Sequence, residues 1–270
     1  MLRHILFSTV VLTAAAGIGT AQAQSFEGML GDGMTMYMQM GGKAGDGATL
    51  PRTTGARDAA KAFGVQLNEQ YSLWHPETML NHFKEALAAQ PTCIGIMGHP
   101  GNDAFQDLVD QAEEQGVVVT SGNAPLTKLF KMYQAEGFGY AGVDLYTGGY
   151  ITGKAMIAQG LKKGDTALVY GLLSEAERGQ STKGLKDALE EEGVVTKYLE
   201  ISPEANADSS LCVPVLTAFL ANNPDVKGIG TQHGGITSFI PKALQDAGKK
   251  PGEVIVGGID LAPATIDGLQ

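Results

Sequence analysis

The sequence predicts an α/β protein of two Rossmann-like lobes, each built on a parallel sheet. Three observations carry this. From Met34 onward short apolar runs alternate with amphipathic stretches, the pattern of βα units. Two of the three amphipathic stretches are closed by Gly, at Gly116 and Gly193, as helices often are. And the apolar runs are too many for one modest sheet, so two are expected. The 37 Gly and 11 Pro follow no period of three, which excludes a collagen-like chain and implies many tight turns.

In chain order, buried parallel strands are expected at Thr35–Met40, Val65–Tyr71, Cys93–Met97, Val117–Thr120 and Gly139–Val143. Four more follow at Thr166–Tyr170, Val194–Ile201, Val226–Thr231 and Val254–Gly257. Helices are expected from Glu77 to Ala89, with Pro76 in the first turn, from Asp103 to Gln115, closed by Gly116, and from Thr182 to Glu192, closed by Gly193. Ser121-Gly122-Asn123-Ala124-Pro125 breaks the pattern after a strand, so the lobes are drawn as 24–123 and 124–270.

Residues 1–23 read as a secretory signal peptide: a basic start at Arg3, an apolar run from Ile5 to Ala16, and Ala21-Gln22-Ala23 before the cut. The run is short and interrupted by Gly17 and Gly19, which argues against a membrane anchor. Export to the periplasm is expected. Cys93 and Cys212 lie in separate apolar stretches and read as buried free thiols.

Charge narrows the partners. Lys+Arg 19 against Asp+Glu 29 gives −10, a field that repels nucleic acid and anionic lipid. His4, His75, His82, His99 and His233 form no ligand pair at helical spacing, so no metal is expected, and no cofactor either. Gly148-Gly149-Tyr150-Ile151-Thr152-Gly153-Lys154-Ala155 nearly spells a phosphate loop. Ala155 lacks the hydroxyl that a Mg²⁺ ion needs, and the run lies inside an expected helix, so it reads as helix packing. Gly42, Gly45 and Gly47 are misordered for a dinucleotide fingerprint, and neither Gly-x-Ser-x-Gly nor His-Glu-x-x-His occurs. The sequence therefore predicts a protein that is not an enzyme.

Ligands of open α/β sheets bind outside the carboxyl ends of the strands. There the sequence places Trp74, Asn102, Asp103, Asn123, Asp144, Arg178, His233 and Asp260. Each has a plainer role open to it. Asp103 and Asp144 can cap helices, Asn123 can shape a turn, Trp74 can be core and Arg178 can be a surface charge. Together they offer carboxylate, amide, guanidinium and indole, the set that a neutral polyhydroxyl ligand requires. Seven are candidates for hydrogen bonding and Trp74 for stacking.

Four stretches, in order, resemble the periplasmic sugar-binding proteins of ABC importers, the ribose-binding-like type I group. They are Ile94 to Ala104, Gly116 to Asn123, Gly142-Val143-Asp144 with Gly148-Gly149, and Val256 to Pro263. The resemblance implies two lobes that close on a monosaccharide or sugar alcohol, a monomer, and a membrane permease as partner. It places polar sugar ligands at Asn123, at Asp260, at Asn102 or Asp103, and one residue from Arg178. Where that family often stacks aromatic residues after the first strand, this chain has Gly41-Gly42-Lys43, and Trp74 is the expected replacement. His233-Gly234 stands where the family has Asn-Asp. The resemblance also implies that the chain is truncated, since Gln270 falls before the crossings that complete the first lobe. Presentation to a chemoreceptor or sensor kinase is the alternative role; an exported carbohydrate-active enzyme is a further one.

Overall fold

The computed structural model describes residues 28–260 and 263–267. The expected signal peptide, 1–23, lies outside the described residues, as does Gln270. The chain runs β1 (Thr35–Gly41), α1 (Leu50–Phe63), β2 (Gln66–Tyr71), α2 (Pro76–Ala88), β3 (Cys93–Met97), α3 (Asn102–Glu114), β4 (Val118–Gly122), α4 (Thr127–Tyr133) and β5 (Gly139–Ala141). It continues α5 (Leu145–Ala158), β6 (Thr166–Gly171), α6 (Gly179–Glu191), β7 (Val195–Glu200), α7 (Pro203–Ala207), α8 (Cys212–Asn222), β8 (Val226–Thr231), α9 (Gly234–Thr237), α10 (Ile240–Asp246), β9 (Ile255–Gly257) and α11 (Pro263–Asp267).

Every expected strand is present, in two parallel sheets ordered β2-β1-β3-β4-β5 and β7-β6-β8-β9. The boundary at Asn123 has to move. Thr120, Ser121 and Gly122 of β4 pair with Gly139, Tyr140 and Ala141, so β5 closes the first sheet instead of opening the second. Helix α1 was not expected either. It buries little more than Thr53, so its apolar pattern is faint, although Pro51 in the first turn and left-handed Gly64 after the last turn mark its ends.

The sheets are covered on both faces, which explains their nearly unbroken apolar runs. In β6 the alternation is plain: Leu168 and Tyr170 face Leu216, Leu220, Ile229 and Ile240, while Ala167 and Val169 face Met156, Leu185 and Leu189. In the first sheet Ile94 and Ile96 pack with Phe83, Phe105 and Val109. Cys93 and Cys212 are free thiols, and burial pushes Cys212 up to about 12.

The run that imitates a phosphate loop is helical, within α5, and packs on α6. Added Cβ atoms at Gly149 and Gly184 would run into the carbonyl oxygens of Ser181 and Tyr146, and one at Gly153 would come 2.9 Å from the Leu185 oxygen. Only glycine permits this close approach of two helices.

Candidate ligand site between the sheets

The carboxyl ends of β1, β2 and β4 face those of β6, β8 and β9 across a crevice of about 440 Å³, counting its open mouth. Trp74, Asn123, Arg178, His233 and Asp260 all line it. Ala48, Arg52, Leu145, Ser181, Gln232, Gly234 and Ile259 complete the lining. Among the described residues, six non-glycine positions have positive φ, and three of these are Trp74 (62°), Asn123 (63°) and Asp260 (66°). Such backbone is costly, and it gathers where neighbouring structure holds it for a ligand.

Trp74 is the hub. The turn after β2 is pinned to the Gly41 carbonyl oxygen, which accepts from the Ser72 N–H (2.9 Å), the Ser72 hydroxyl (2.5 Å) and the Trp74 N–H (3.2 Å). That turn folds the indole onto the Gly41-Gly42 backbone, where a Cβ on Gly42 would lie 2.6 Å from Nε1. The indole thus fills the space that side chains after the first strand would otherwise take. It is 6 % exposed and stacks on His99 with ring centroids 4.9 Å apart. Arg52 and Arg178 lie 5.7 and 5.5 Å from its centroid, within cation–π range.

Asn123 follows β4, and its Nδ2 lies 2.6 Å from His99 Nε2. Burial, reinforced by the charges of Arg178 and Arg52, holds His99 well below the usual imidazole value, so its ring is neutral and accepts from the amide. Arg178, at the N-terminus of α6, is buried. Its Nη1 donates to Asn206 Oδ1 at 3.2 Å, and Glu175 Oε2 lies 3.7 Å away. Burial lowers the Arg178 value against the attraction of Glu175, and burial raises Glu175.

His233 caps α9: its Nδ1 accepts from the Ile236 N–H at 3.3 Å, and burial with the nearby Arg178 charge depresses its value to about 3. Its Nε2 has no hydrogen-bond partner, nor do Oε1 and Nε2 of Gln232, and both side chains are buried. Asp260 is exposed as a residue, yet its carboxylate lies over Gly234. Burial of that carboxyl raises its value, and Arg52 and Arg178 pull it back.

Three expected site residues do not line the crevice. Asp144 caps α5, accepting from the Thr147 N–H at 2.7 Å, and it is exposed. Asp103 stands in the first turn of α3 with its side chain 94 % exposed, bridged to Lys128 at 3.1 Å. Asn102 Oδ1 accepts from the N–H groups of Lys128 and Leu129, and its Nδ2 donates to Glu177 across the crevice. Arg52 and Ser181 are lining residues that sequence reasoning missed, since each sits inside a helix with no local sign of its direction. Gln232 was signalled by its place beside His233 at the end of β8.

A family profile described as periplasmic binding protein domain matches residues 50–270. The chain belongs to that family. The two parallel sheets of this periplasmic binding protein form the type I fold. An ABC transporter periplasmic solute-binding protein from Actinobacillus succinogenes, solved with D-allose, is 23% identical with a TM-score of 0.72, over 87% of this chain and 80% of that one. One from Agrobacterium vitis bound to α-D-tagatopyranose is 20% identical with a TM-score of 0.74, over 87% and 79%. A carbohydrate transporter from Acidothermus cellulolyticus in complex with myo-inositol is 19% identical with a TM-score of 0.66, over 84% and 74%. No curated protein sequence matches the chain. Among the described residues of this binding protein, no three His, Cys, Asp or Glu are grouped to hold a metal, and no helix is long and apolar enough to cross a membrane.

Proposed function

We propose that this protein is exported to the periplasm, captures a monosaccharide or sugar alcohol between its lobes, and delivers it to the membrane permease of an ABC importer. The observation that carries the reading is the set of buried polar atoms without partners in the crevice: both amide atoms of Gln232 and Nε2 of His233. Buried groups of this kind cost about 1–3 kcal/mol each when unpaired. A hydroxyl both donates and accepts, so a polyhydroxyl solute satisfies all of them at once, together with Asn123, Arg178 and Asp260. The sugars and inositol held by similarly folded proteins support the same chemistry. Binding does the work: a ligand touching both lobes stabilises the closed form, and the permease distinguishes closed from open.

The test is thermal unfolding of the purified chain against a panel of pentoses, hexoses, polyols and sugar acids. A ligand at 100 times its Kd adds about 2.7 kcal/mol of stability, which reads as a clear rise in Tm. A cooperative melt that no member of the panel moves overturns the reading.

A further inference from the structure

Two guanidiniums enter the crevice from opposite lobes, Arg52 from α1 and Arg178 from the start of α6, and both approach the Trp74 ring. Each guanidinium carries five N–H donors and no acceptor. Arg52 uses Nη1 on the Met40 carbonyl oxygen at 2.6 Å, and Arg178 uses Nη1 on Asn206. Among the described residues no carboxylate lies within 4.0 Å of Arg52, and the one near Arg178, Glu175, stands at 3.7 Å without a hydrogen bond.

Asp46, the other acid close to Arg52, is spent on its own loop. Its Oδ1 accepts from the N–H groups of Ala48 and Thr49, at 3.0 and 2.6 Å, and from the Thr49 hydroxyl at 2.8 Å; its Oδ2 accepts from the Lys43 N–H at 2.8 Å. That leaves Asp260 as the only carboxylate among the described lining residues, against two guanidiniums with most of their donors unused. A hydroxyl accepts on two lone pairs but also brings a donor that needs an acceptor of its own, and in this lining such acceptors are fewer than the guanidinium donors. A carboxylate brings acceptors alone, and its two oxygens match the guanidinium fork.

We propose that the solute is a sugar acid, an aldonate or a uronate, whose single carboxylate is held by Arg52 and Arg178 while Asn123, Gln232, His233 and Asp260 take its hydroxyls. This rests on the sugar-binding reading and narrows it. The overall negative charge of the chain does not oppose it. Ions screen exposed charges beyond about 8 Å at physiological salt, whereas the two guanidiniums would meet the ligand directly.

The experiment is titration calorimetry of the full chain with matched pairs: galactose, galacturonate and galactonate, then glucose, glucuronate and gluconate. The expected result is an acid bound about tenfold or more tighter than its neutral parent, the worth of a charge-assisted pair. The uronate and aldonate arms separate the ring form from the open chain. A neutral parent that binds as well as its acids overturns this proposal and leaves sugar binding standing. If no member of either set binds, this proposal falls, and the wider melting panel decides sugar binding. Arg52→Gln is expected to remove most of the acid's advantage over the parent, and Arg52→Lys to keep part of it. A purely structural role would weaken both ligands alike, so an undiminished ratio in Arg52→Gln overturns the assignment. The comparison on the unsubstituted chain decides the matter even if the variants do not fold.

Discussion

Asn102 Nδ2 donates to Glu177 Oε1 at 2.9 Å, joining the first turn of α3 to the loop before α6 across 75 positions of sequence. Asn102 is held for this by the N–H groups of Lys128 and Leu129 on its Oδ1, so it arrives at the second lobe preoriented. The bond exists only while the lobes face each other at this separation. Glu177→Ala is expected to speed ligand release and raise Kd several-fold, for a bond to a charged group worth about 1.5–3 kcal/mol, part of it recovered by water. Glu177→Gln, which keeps an acceptor, should sit between. Stopped-flow dissociation rates that are the same in all three proteins would remove the latch.

Asp260 and Gly234 form a second coupled pair. Asparagine tolerates the left-handed backbone at φ 66°, so Asp260→Asn tests the charge without disturbing the turn. We expect solute affinity to fall about tenfold or more. Gly234→Ala puts a methyl group where the Asp260 carboxylate lies and should cost binding comparably. Calorimetry checks both, and an unchanged Kd in Asp260→Asn would take this carboxylate out of the site.

The chain has one tryptophan, so its emission reports on Trp74. Solute entry beside Arg52 and Arg178 changes the charges facing the indole, and a ligand-dependent emission change is expected. Gly42→Ala should displace the ring toward water, shift its emission to the red and weaken binding. Emission identical to the parent would contradict the contact between ring and backbone.

Acid should destabilise the protein through its buried imidazoles. His233, at about 3, and His99, also lowered, bind protons less readily folded than unfolded. Their contribution is fully present above the ordinary value near 6.5 and is lost as pH falls toward the folded values, by up to about 1.4 kcal/mol per pH unit for each ring. Asp260 and Glu175, raised by burial, act in the opposite sense and only nearer the carboxylate range. His233→Asn keeps a helix cap and removes one titration, so urea melts between pH 4 and 7 should show a shallower slope. An equal slope in both proteins would deny His233 its part.

The crossing of α5 and α6 should tolerate no side chain at Gly149. Gly149→Ala forces the helices apart and is expected to cost about 1–3 kcal/mol, read as a lower denaturation midpoint. An unchanged midpoint would mean that the crossing is looser than its glycines imply.

Much of this binding protein was settled locally. Nine strands and three of the helices are legible because side-chain period, Pro in first turns and Gly after last turns depend on neighbours a few positions away. The same locality made the glycine run of α5 readable as packing. Tertiary structure decided which polar residues share the crevice. A carboxylate after a strand can cap the next helix or face a ligand, and Asp144 took the Thr147 N–H while Asp260, beside a glycine and two arginines, turned inward. Arg52 reached the site from a helix with little apolar pattern, and β5 joined the first sheet through hydrogen bonds to β4 that no sequence period records. Local rules govern the direction of each chain segment; which side chains meet depends on distances between segments far apart in sequence, and those are set only when the sheets pack.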